Sequence, residues 1–124
     1  PPMWITMLHA KIHRATVTAA DLHYEGSITI DRHLMDLADL VPYQQVQIYN
    51  ISTGARFETY VIEGQAHSGC IQINGAAARL AHASDLIIIA AYTYVPREEA
   101  AQWQPKVVLV DGRNRPVPAA RQVA

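Results

Sequence analysis

The stretch ADLHYEGSITID, residues 20–31, places a Gly-Ser step between two segments with the character of β-strands. Gly adopts backbone conformations that other residues resist, and Ser supports local hydrogen bonds, so such a step is by itself an ordinary turn. Outward from this stretch, short β-rich segments dominate the chain: WITML, KIHRATVT, SITI, QVQIYN, RFETYVI, CIQIN, DLIIIAAYTYV and KVVLVD. Turn-forming residues separate most of them. So many short strands predict a mainly β fold, a closed small barrel.

Helical patterns are few and short. Asp31 is a suitable N-cap for a segment in which Leu34, Leu37 and Ala38 recur at helical spacing. The segment REEAAQW after Pro96 can form a second short helix. Both helices are expected to decorate a β core.

Length and composition indicate one compact domain over residues 1–124. The formal net charge of −1 offers no broad basic field, so nucleic acid is not an expected partner. One cysteine, Cys70, allows no intrachain disulfide, and the cytoplasm is the simplest location. The longest apolar run, residues 86–95, is about half of what a membrane-spanning helix needs, and no membrane partner is expected. The Pro/Arg-rich end, residues 113–124, is predicted to be a loose tail.

Strand alternation groups the polar residues of RFETYVI. Residues two apart share a face, so Arg56, Glu58 and Tyr60 should lie together, with Thr59 on the opposite face. An Arg can grip a carboxylate in a fork and a Tyr can donate a proton. A solvated strand face carries the same residue types, so alternation alone does not make this a site.

The same alternation applies to KIHRATVT, where Lys11 and His13 should share a face with Ala15 and Val17. His9 and His13 are four residues apart, a separation of about 13 Å on a strand, beyond the reach of one metal ion. No metal site is therefore expected. Elsewhere, INGAAARL (residues 73–80) combines a strong turn signal with alanines that can begin a helix and leave backbone amides free for an anion.

Three blocks, MLHAKIHRATVTAADLHYEGSITID, GARFETY and INGAAA, in this order and spacing, closely resemble the aspartate 1-decarboxylases. The resemblance covers nearly the whole chain and implies a double-psi β-barrel, a homotetramer with active sites between neighbouring subunits, and a carboxy-lyase that makes β-alanine for pantothenate and coenzyme A synthesis. It also implies a proenzyme that cuts itself between Gly26 and Ser27. Some relatives need a maturation factor, and the resemblance leaves open whether this chain does.

The resemblance implies that Ser27 becomes a covalently bound pyruvoyl group, the only cofactor, with no metal. Ser27 attacks the Gly26 carbonyl, an ester replaces the amide, and elimination and hydrolysis leave the pyruvoyl group at the new chain start. This group forms an imine with L-aspartate and accepts electrons as CO2 leaves.

The matching motifs also imply roles for individual residues. Tyr60 is the expected proton donor and, with Ser27, the catalytic pair. Self-cleavage would involve Tyr24, Gly26, Ser27, Thr59 and Asn74; substrate binding would involve Lys11, His13, Arg56, Asn74, Gly75, Ala76 and Ala77. If RFETYVI is regular, Thr59 and Tyr60 point apart, and a twist, a bulge or a subunit boundary must reconcile them.

Some positions depart from the family pattern. GQAHSGC replaces a GERGSG-like segment and introduces His67, Arg79 stands where His is common, and Ser84 stands where Gly often precedes Asp. These changes bear on loop geometry, subunit contacts and self-processing. The rival hypothesis from another class is an unprocessed β-barrel binding or scaffold protein, with Gly26-Ser27 as a passive turn.

Overall fold

The structure of the chain is a computed structural model that describes residues 2–118. Its strands and helices follow in this order: β1 Trp4–Thr16, β2 Ala19–Asp21, β3 Ser27–Asp31, α1 Arg32–Ala38, β4 Gln45–Asn50, β5 Arg56–Gly64, β6 Ile71–Asn74, a 3-10 helix Gly75–Arg79, β7 Leu86–Pro96, a 3-10 helix Arg97–Gln102 and β8 Lys106–Leu109. The predicted mainly β class with few short helices is confirmed. The segments WITML and KIHRATVT form one strand, and β2 was not predicted.

The eight strands form one mixed sheet in the order β2-β6-β3-β5-β4-β7-β1-β8. Three neighbouring pairs are parallel (β2 with β6, β3 with β5, β1 with β8), and the other four are antiparallel. The sheet curls so that its distant strands meet: the Thr18 N–H, just after β1, donates to the Ile71 carbonyl of β6 at 2.8 Å. This curvature is consistent with a β-barrel, and the double-psi crossing stays a prediction.

The core fills the inside of this curl with β-branched and small residues, which suit a pleated, buried surface. One cross-strand row runs through Ile12, Ile89, Ile48 and Phe57 on β1, β7, β4 and β5. Its three isoleucines are fully buried and Phe57 packs against the core cluster. The side chains in the next cross-strand row on either side, one residue further along each strand, therefore point outward.

Two bulges interrupt β1 and change which residues share a face. The pairing with β7 skips one residue between Leu8 and Ala10 and again between Ile12 and Ala15, where Arg14 has φ +64°. Because each extra residue shifts the alternation by one position, Ala15 joins Ile12 in the core and so does Val17. The expectation that Ala15 and Val17 share the face of Lys11 and His13 was therefore wrong.

Asp31 caps α1 as predicted. Its carboxylate accepts hydrogen bonds from the backbone N–H groups of His33 at 2.8 Å, His67 at 2.9 Å and Gly69 at 2.8 Å. Burial would raise the pKa of this carboxyl group, but the N–H donors of Gly69, His67 and His33 together hold it below its usual value. One side chain thus joins the end of β3, the start of α1 and the loop before β6.

The first part of the predicted loose tail is anchored. Asn114 is buried, accepts from the Thr16 N–H at 2.7 Å, and donates to the carbonyls of Thr16 and Gly69 at 2.8 Å each. Pro116 bridges to Val110. The expectation is thus corrected for residues 113–118, and residues 119–124 lie outside the described part. Among residues 2–118, no helix has the length and apolar character needed to cross a membrane.

Candidate active site

The register between β3 and β6 sets Ser27 directly opposite Asn74. Their neighbours Ile28 and Ile73 point into the core, so Ser27 and Asn74 point to the other face. There the Asn74 Nδ2 donates to the Ser27 Oγ at 3.0 Å, and both residues are almost fully buried, at 1% and 0% exposure. The structure thus brings together two residues that the sequence assigned to self-cleavage.

Two further polar residues complete this contact. Thr29 pairs with Gln72 one step along the same face. The Asn74 Nδ2 also donates to the Thr29 Oγ1 at 3.1 Å, and the Gln72 Nε2 donates to the Asn74 Oδ1 at 2.8 Å. We call Ser27, Thr29, Gln72 and Asn74 the polar quartet. Sequence analysis missed Thr29 and Gln72, although alternation places each two residues from a predicted site residue.

Gly75 brings its backbone against the Gly26–Ser27 junction. It has φ +70°, and a Cβ at this position would lie 2.6 Å from the Gly26 Cα, 2.7 Å from the Gly26 N and 3.1 Å from the Tyr24 carbonyl oxygen. Only glycine fits so close an approach. A Cβ at Gly26, in contrast, would meet no atom of residues 2–118 within 4 Å beyond its chain neighbours.

The alanines after Gly75 form the predicted helix start as a 3-10 helix. Ala76 is exposed and Ala77 is half-buried. Because Gly75 lies against Gly26, this short helix begins next to the Gly26 segment. Tyr24 is itself 52% exposed and contributes its backbone to the junction.

Strand β5 is regular where Thr59 and Tyr60 lie. Residues 56–60 pair one by one with residues 49–45 of β4, without a bulge. Thr59 and Tyr60 therefore point to opposite faces, and of the three ways to reconcile them, a bulge is excluded. Ile28 of β3 pairs with Val61 of β5 in parallel. The residues that precede this pair, Ser27 and Tyr60, therefore lie beside each other on the outward face.

Arg56 lies on the same outward face and is held by an aromatic pair. Its guanidinium carbon is 4.1 Å from the ring centre of Tyr49, its cross-strand partner on β4. The Tyr49 hydroxyl contacts the Tyr92 hydroxyl at 2.7 Å. This hydrogen bond, with burial, raises the pKa of Tyr92. Sequence analysis assigned no role to either tyrosine.

The outward face carries a groove of about 630 Å³ beside this pair, lined by Thr6, Gln45, Val46, Gln47, Tyr49, Ala90, Tyr92, Thr93 and Tyr94. Lys11 on β1 belongs to one cross-strand row, which continues through Ala90 on β7 and Gln47 on β4 to Glu58 on β5. The Glu58 carboxylate accepts from Gln45 at 2.7 Å and Gln47 at 2.9 Å. The outward face thus carries two cationic side chains, Lys11 and Arg56, and the hydrogen-bonded Glu58 carboxylate. The hydroxyls of Tyr49 and Tyr92 lie on the same face.

His13 adds a neutral imidazole. Its Nδ1 is buried and has no hydrogen-bond partner among the described residues. Burial, and then the charges of Lys11 and Arg14, lower the pKa of His13. The ring is therefore uncharged near pH 7.

One chain does not gather all these groups in one place. The Cα atoms of Lys11 and Glu58 are three strand spacings apart, about 14 Å, and Arg56 and Tyr60 are four residues apart, about 13 Å. The outward side chains also diverge because the sheet curls with its core inside. Within residues 2–118, no three His, Cys, Asp or Glu side chains are grouped to hold a metal ion.

Comparisons with known proteins point to one family. The sequence model of the aspartate decarboxylase family matches residues 3–117. The aspartate 1-decarboxylase of Syntrophobacter fumaroxidans is 60% identical over 111 residues, which cover 90% of each chain. That of Thermoanaerobacter pseudethanolicus is 57% identical over 111 residues (90% of this chain, 95% of the relative), and that of Chloroherpeton thalassium is 58% identical over 114 residues (92% and 84%).

Proposed function

The chain belongs to the aspartate decarboxylase family and is a carboxy-lyase that converts L-aspartate to β-alanine and CO2; we propose that it does so with a pyruvoyl group made from its own Ser27. The single observation that carries the proposal is the contact of a buried Ser27 Oγ with the Asn74 Nδ2 at 3.0 Å, next to Gly26. A passive surface turn does not need a buried nucleophile with a fixed donor. The residues present therefore fit the group.

Self-cleavage begins with attack of the Ser27 Oγ on the Gly26 carbonyl carbon. The acyl group moves from nitrogen to oxygen, and elimination across the Ser27 Cα–Cβ bond leaves Oγ in the new Gly26 carboxylate. Water then converts the dehydroalanine to the pyruvoyl group and releases ammonia. Asn74 holds Oγ in place, and the close approach of Gly75 fixes the Gly26 backbone on the other side.

The pyruvoyl group, when formed, supplies a ketone that binds the amino group of aspartate and accepts electrons as CO2 leaves. Tyr60, beside Ser27 in the register, is the proposed donor of the proton to Cα. Arg56 and Lys11 bind the substrate carboxylates, His13 contributes an uncharged pocket wall, and the backbone amides of residues 75–77 add donors. Thr59 lies on the opposite face of β5 from Tyr60 and Ser27, so its proposed role in self-cleavage requires a twist of the strand or a boundary between copies.

The site needs a second copy of the chain. Lys11 lies on β1, which is not a neighbour of the Ser27 strand β3, and Arg56 lies four residues from Tyr60 along β5, about 13 Å, while aspartate presents its two carboxylates only a few bonds apart. A neighbouring copy can bring its outward face against the polar quartet and supply the missing cations. This supports the homotetramer with shared sites that the resemblance implies. We further propose a cytoplasmic enzyme that feeds pantothenate synthesis.

Co-expression of two differently tagged variants tests this sharing. Ser27→Ala removes the nucleophile, and Lys11→Ala removes a carboxylate partner. Mixed assemblies should recover decarboxylation that neither parent shows, because one site receives an intact Ser27 from one copy and an intact Lys11 from the other. Mixed assemblies as inactive as the parents would refute the shared site.

Intact mass of the denatured protein tests the self-cleavage. The expected result is two pieces cut after Gly26, the larger lighter by one ammonia than a chain that starts with serine. Ser27→Ala should stay whole. Tyr60→Phe should be cut normally yet lose decarboxylation, whereas Tyr43→Phe, whose ring is 6.3 Å from that of Tyr60, is the matched control that should retain both.

A whole chain with no decarboxylase activity, even after incubation with a maturation factor, would instead support the unprocessed binding protein. Cleavage that appears only with the factor would show that this chain needs one. Normal turnover by Tyr60→Phe would refute the proton-donor assignment alone.

A further inference from the structure

The Asn74 side chain makes three hydrogen bonds within the polar quartet. Its Nδ2 carries two hydrogens, directed to the Ser27 Oγ at 3.0 Å and the Thr29 Oγ1 at 3.1 Å. Its Oδ1 accepts from the Gln72 Nε2 at 2.8 Å. Asn74 is fully buried, and Gln72 is partly buried. The orientation of this amide is therefore set by what surrounds it.

An amide can turn by 180° about its last bond, which exchanges its donor and acceptor ends. In the reverse orientation, Oδ1 would face the Ser27 and Thr29 hydroxyls, each of which can donate. These two neighbours accept either orientation, because a hydroxyl both donates and accepts. Gln72 does not accept both in the same way: its Nε2 donates to Oδ1 here, and the reverse orientation of Asn74 would require the Gln72 amide to turn as well.

We infer that Gln72 is a positioning residue for self-cleavage, which keeps the Asn74 amide turned so that the Ser27 Oγ accepts a hydrogen bond. The inference rests on the proposed function. In this orientation the Ser27 O–H is free to pass its proton to the Ser27 nitrogen, which leaves the Gly26 carbonyl carbon as Oγ attacks it. In the reverse orientation the proton would be held on an amide oxygen, which is far too weak a base to remove it.

Three variants of the full chain separate orientation from packing. Gln72→Glu places an acceptor-only carboxylate against the Asn74 Oδ1, which favours the reverse orientation. Gln72→Met keeps length and loses the hydrogen bond. Gln44→Glu is the matched control, because the Gln44 Oε1 accepts from the Val41 N–H and a carboxylate oxygen can replace it.

The measurement is the time course of cutting after Gly26 by intact mass, starting from freshly made whole chain. At pH 7, Gln72→Glu should slow cutting by about tenfold or more and Gln72→Met by a few-fold, effects of the size of one oriented hydrogen bond. Gln44→Glu should stay within about threefold of the parent chain, less than the loss of such a bond.

The pH profile provides a readout that a structural role would not move. Once protonated, the carboxyl group introduced by Gln72→Glu regains an O–H donor for the Asn74 Oδ1. Cutting by this variant, relative to the parent, should therefore recover as the pH falls toward the glutamate pKa, about 4.3 or above. The titratable residues Asp21 and Tyr60 lie in the adjacent row. The negative charge of Asp21 raises the pKa of a carboxyl group introduced beside it, so recovery should begin at or above about pH 4.3.

Each outcome decides one claim. A parent chain that is never cut overturns the proposed function and this inference with it. A parent that is cut, with Gln72→Glu cut as fast as Gln44→Glu, overturns only the role of Gln72. If Gln72→Glu fails to fold, Gln72→Met takes its place as the test. Cutting of Gln72→Met at the parental rate would overturn the inference. Slow cutting without recovery at low pH assigns Gln72 to structure instead.

Discussion

Gly75→Ala is the most direct perturbation of the junction between Gly26 and Ser27. The new Cβ would lie 2.6 Å from the Gly26 Cα and 2.7 Å from the Gly26 N, and the residue would keep φ +70°. A left-handed backbone costs a non-glycine residue about 1–2 kcal/mol. Overpacking adds about 1–3 kcal/mol. We therefore expect a loss of about 2–5 kcal/mol in free energy of unfolding, as the sum of the two effects.

The overlap can be relieved only by moving residues 24–26 away from Gly75, which also moves the Gly26 carbonyl relative to the Ser27 Oγ. If about 1.4 kcal/mol of the strain is felt in the transition state for attack, cutting slows tenfold. We expect at least that factor by intact mass at a fixed time after synthesis. Urea unfolding of the same sample reports the stability change.

Gly54→Ala is the matched control for backbone strain without overlap. Gly54 has φ +84°, and a Cβ there would meet nothing within 4 Å. This variant should lose about 1–2 kcal/mol of stability and be cut at the parental rate. Equal cutting rates for Gly75→Ala and Gly54→Ala would refute the view that the approach of Gly75 positions the scissile bond.

Two further predictions follow from the surrounding residues. Tyr92→Phe removes the hydroxyl that contacts Tyr49, and the Tyr49 ring lies under Arg56. This variant should raise KM for aspartate several-fold with kcat largely kept, whereas Tyr94→Phe on the same face should change neither constant. An unchanged KM in Tyr92→Phe would refute the positioning of Arg56. Asp31→Asn should lose about 2–3 kcal/mol at pH 7, since it puts an amide donor among three N–H groups. Because the pKa of Asp31 is lowered in the folded chain, the stability that the ionised Asp31 contributes is present above about pH 3.9 and is lost as the pH falls through the folded-state pKa. The difference in urea midpoint between parent and variant should therefore shrink toward pH 3. A difference that stays constant with pH would contradict this linkage.

The sequence predicted those features that follow from periodicity and turn chemistry. Strand β4 was predicted with the observed bounds, and α1 begins after the predicted cap, Asp31. Predictions failed where tertiary contacts decide. The αL conformation of Arg14 inserts a bulge that turns Ala15 into the core, and an arginine gives no local signal of a positive φ. Asn114 is anchored by Thr16 and Gly69, which lie 98 and 45 residues away along the chain.

The candidate site shows the same division. Ser27, Gly26 and Asn74 were named from motifs, and the sheet register then explains their contact. Gln72 and Thr29 complete it through a strand pairing that no local pattern specifies. Tyr92 contacts Tyr49 from a strand 43 residues away. Such partners become visible only when strand order and register are known.

The sheet geometry also separates the two reactions that we propose for this chain. Every contact that we assign to cutting, from Ser27 to Asn74 and from Gly75 to Gly26, is made within one copy. The cations that we assign to substrate lie on an outward, diverging face, and the regular pairing of β5 keeps Thr59 and Tyr60 on opposite sides. Ser27, Asn74, Gly26 and Gly75 already lie in contact within one chain, whereas Thr59 lies on the opposite face of β5 from Ser27. We therefore expect decarboxylation to need an assembled surface, because the cations proposed to bind aspartate lie on a diverging face and not around the polar quartet.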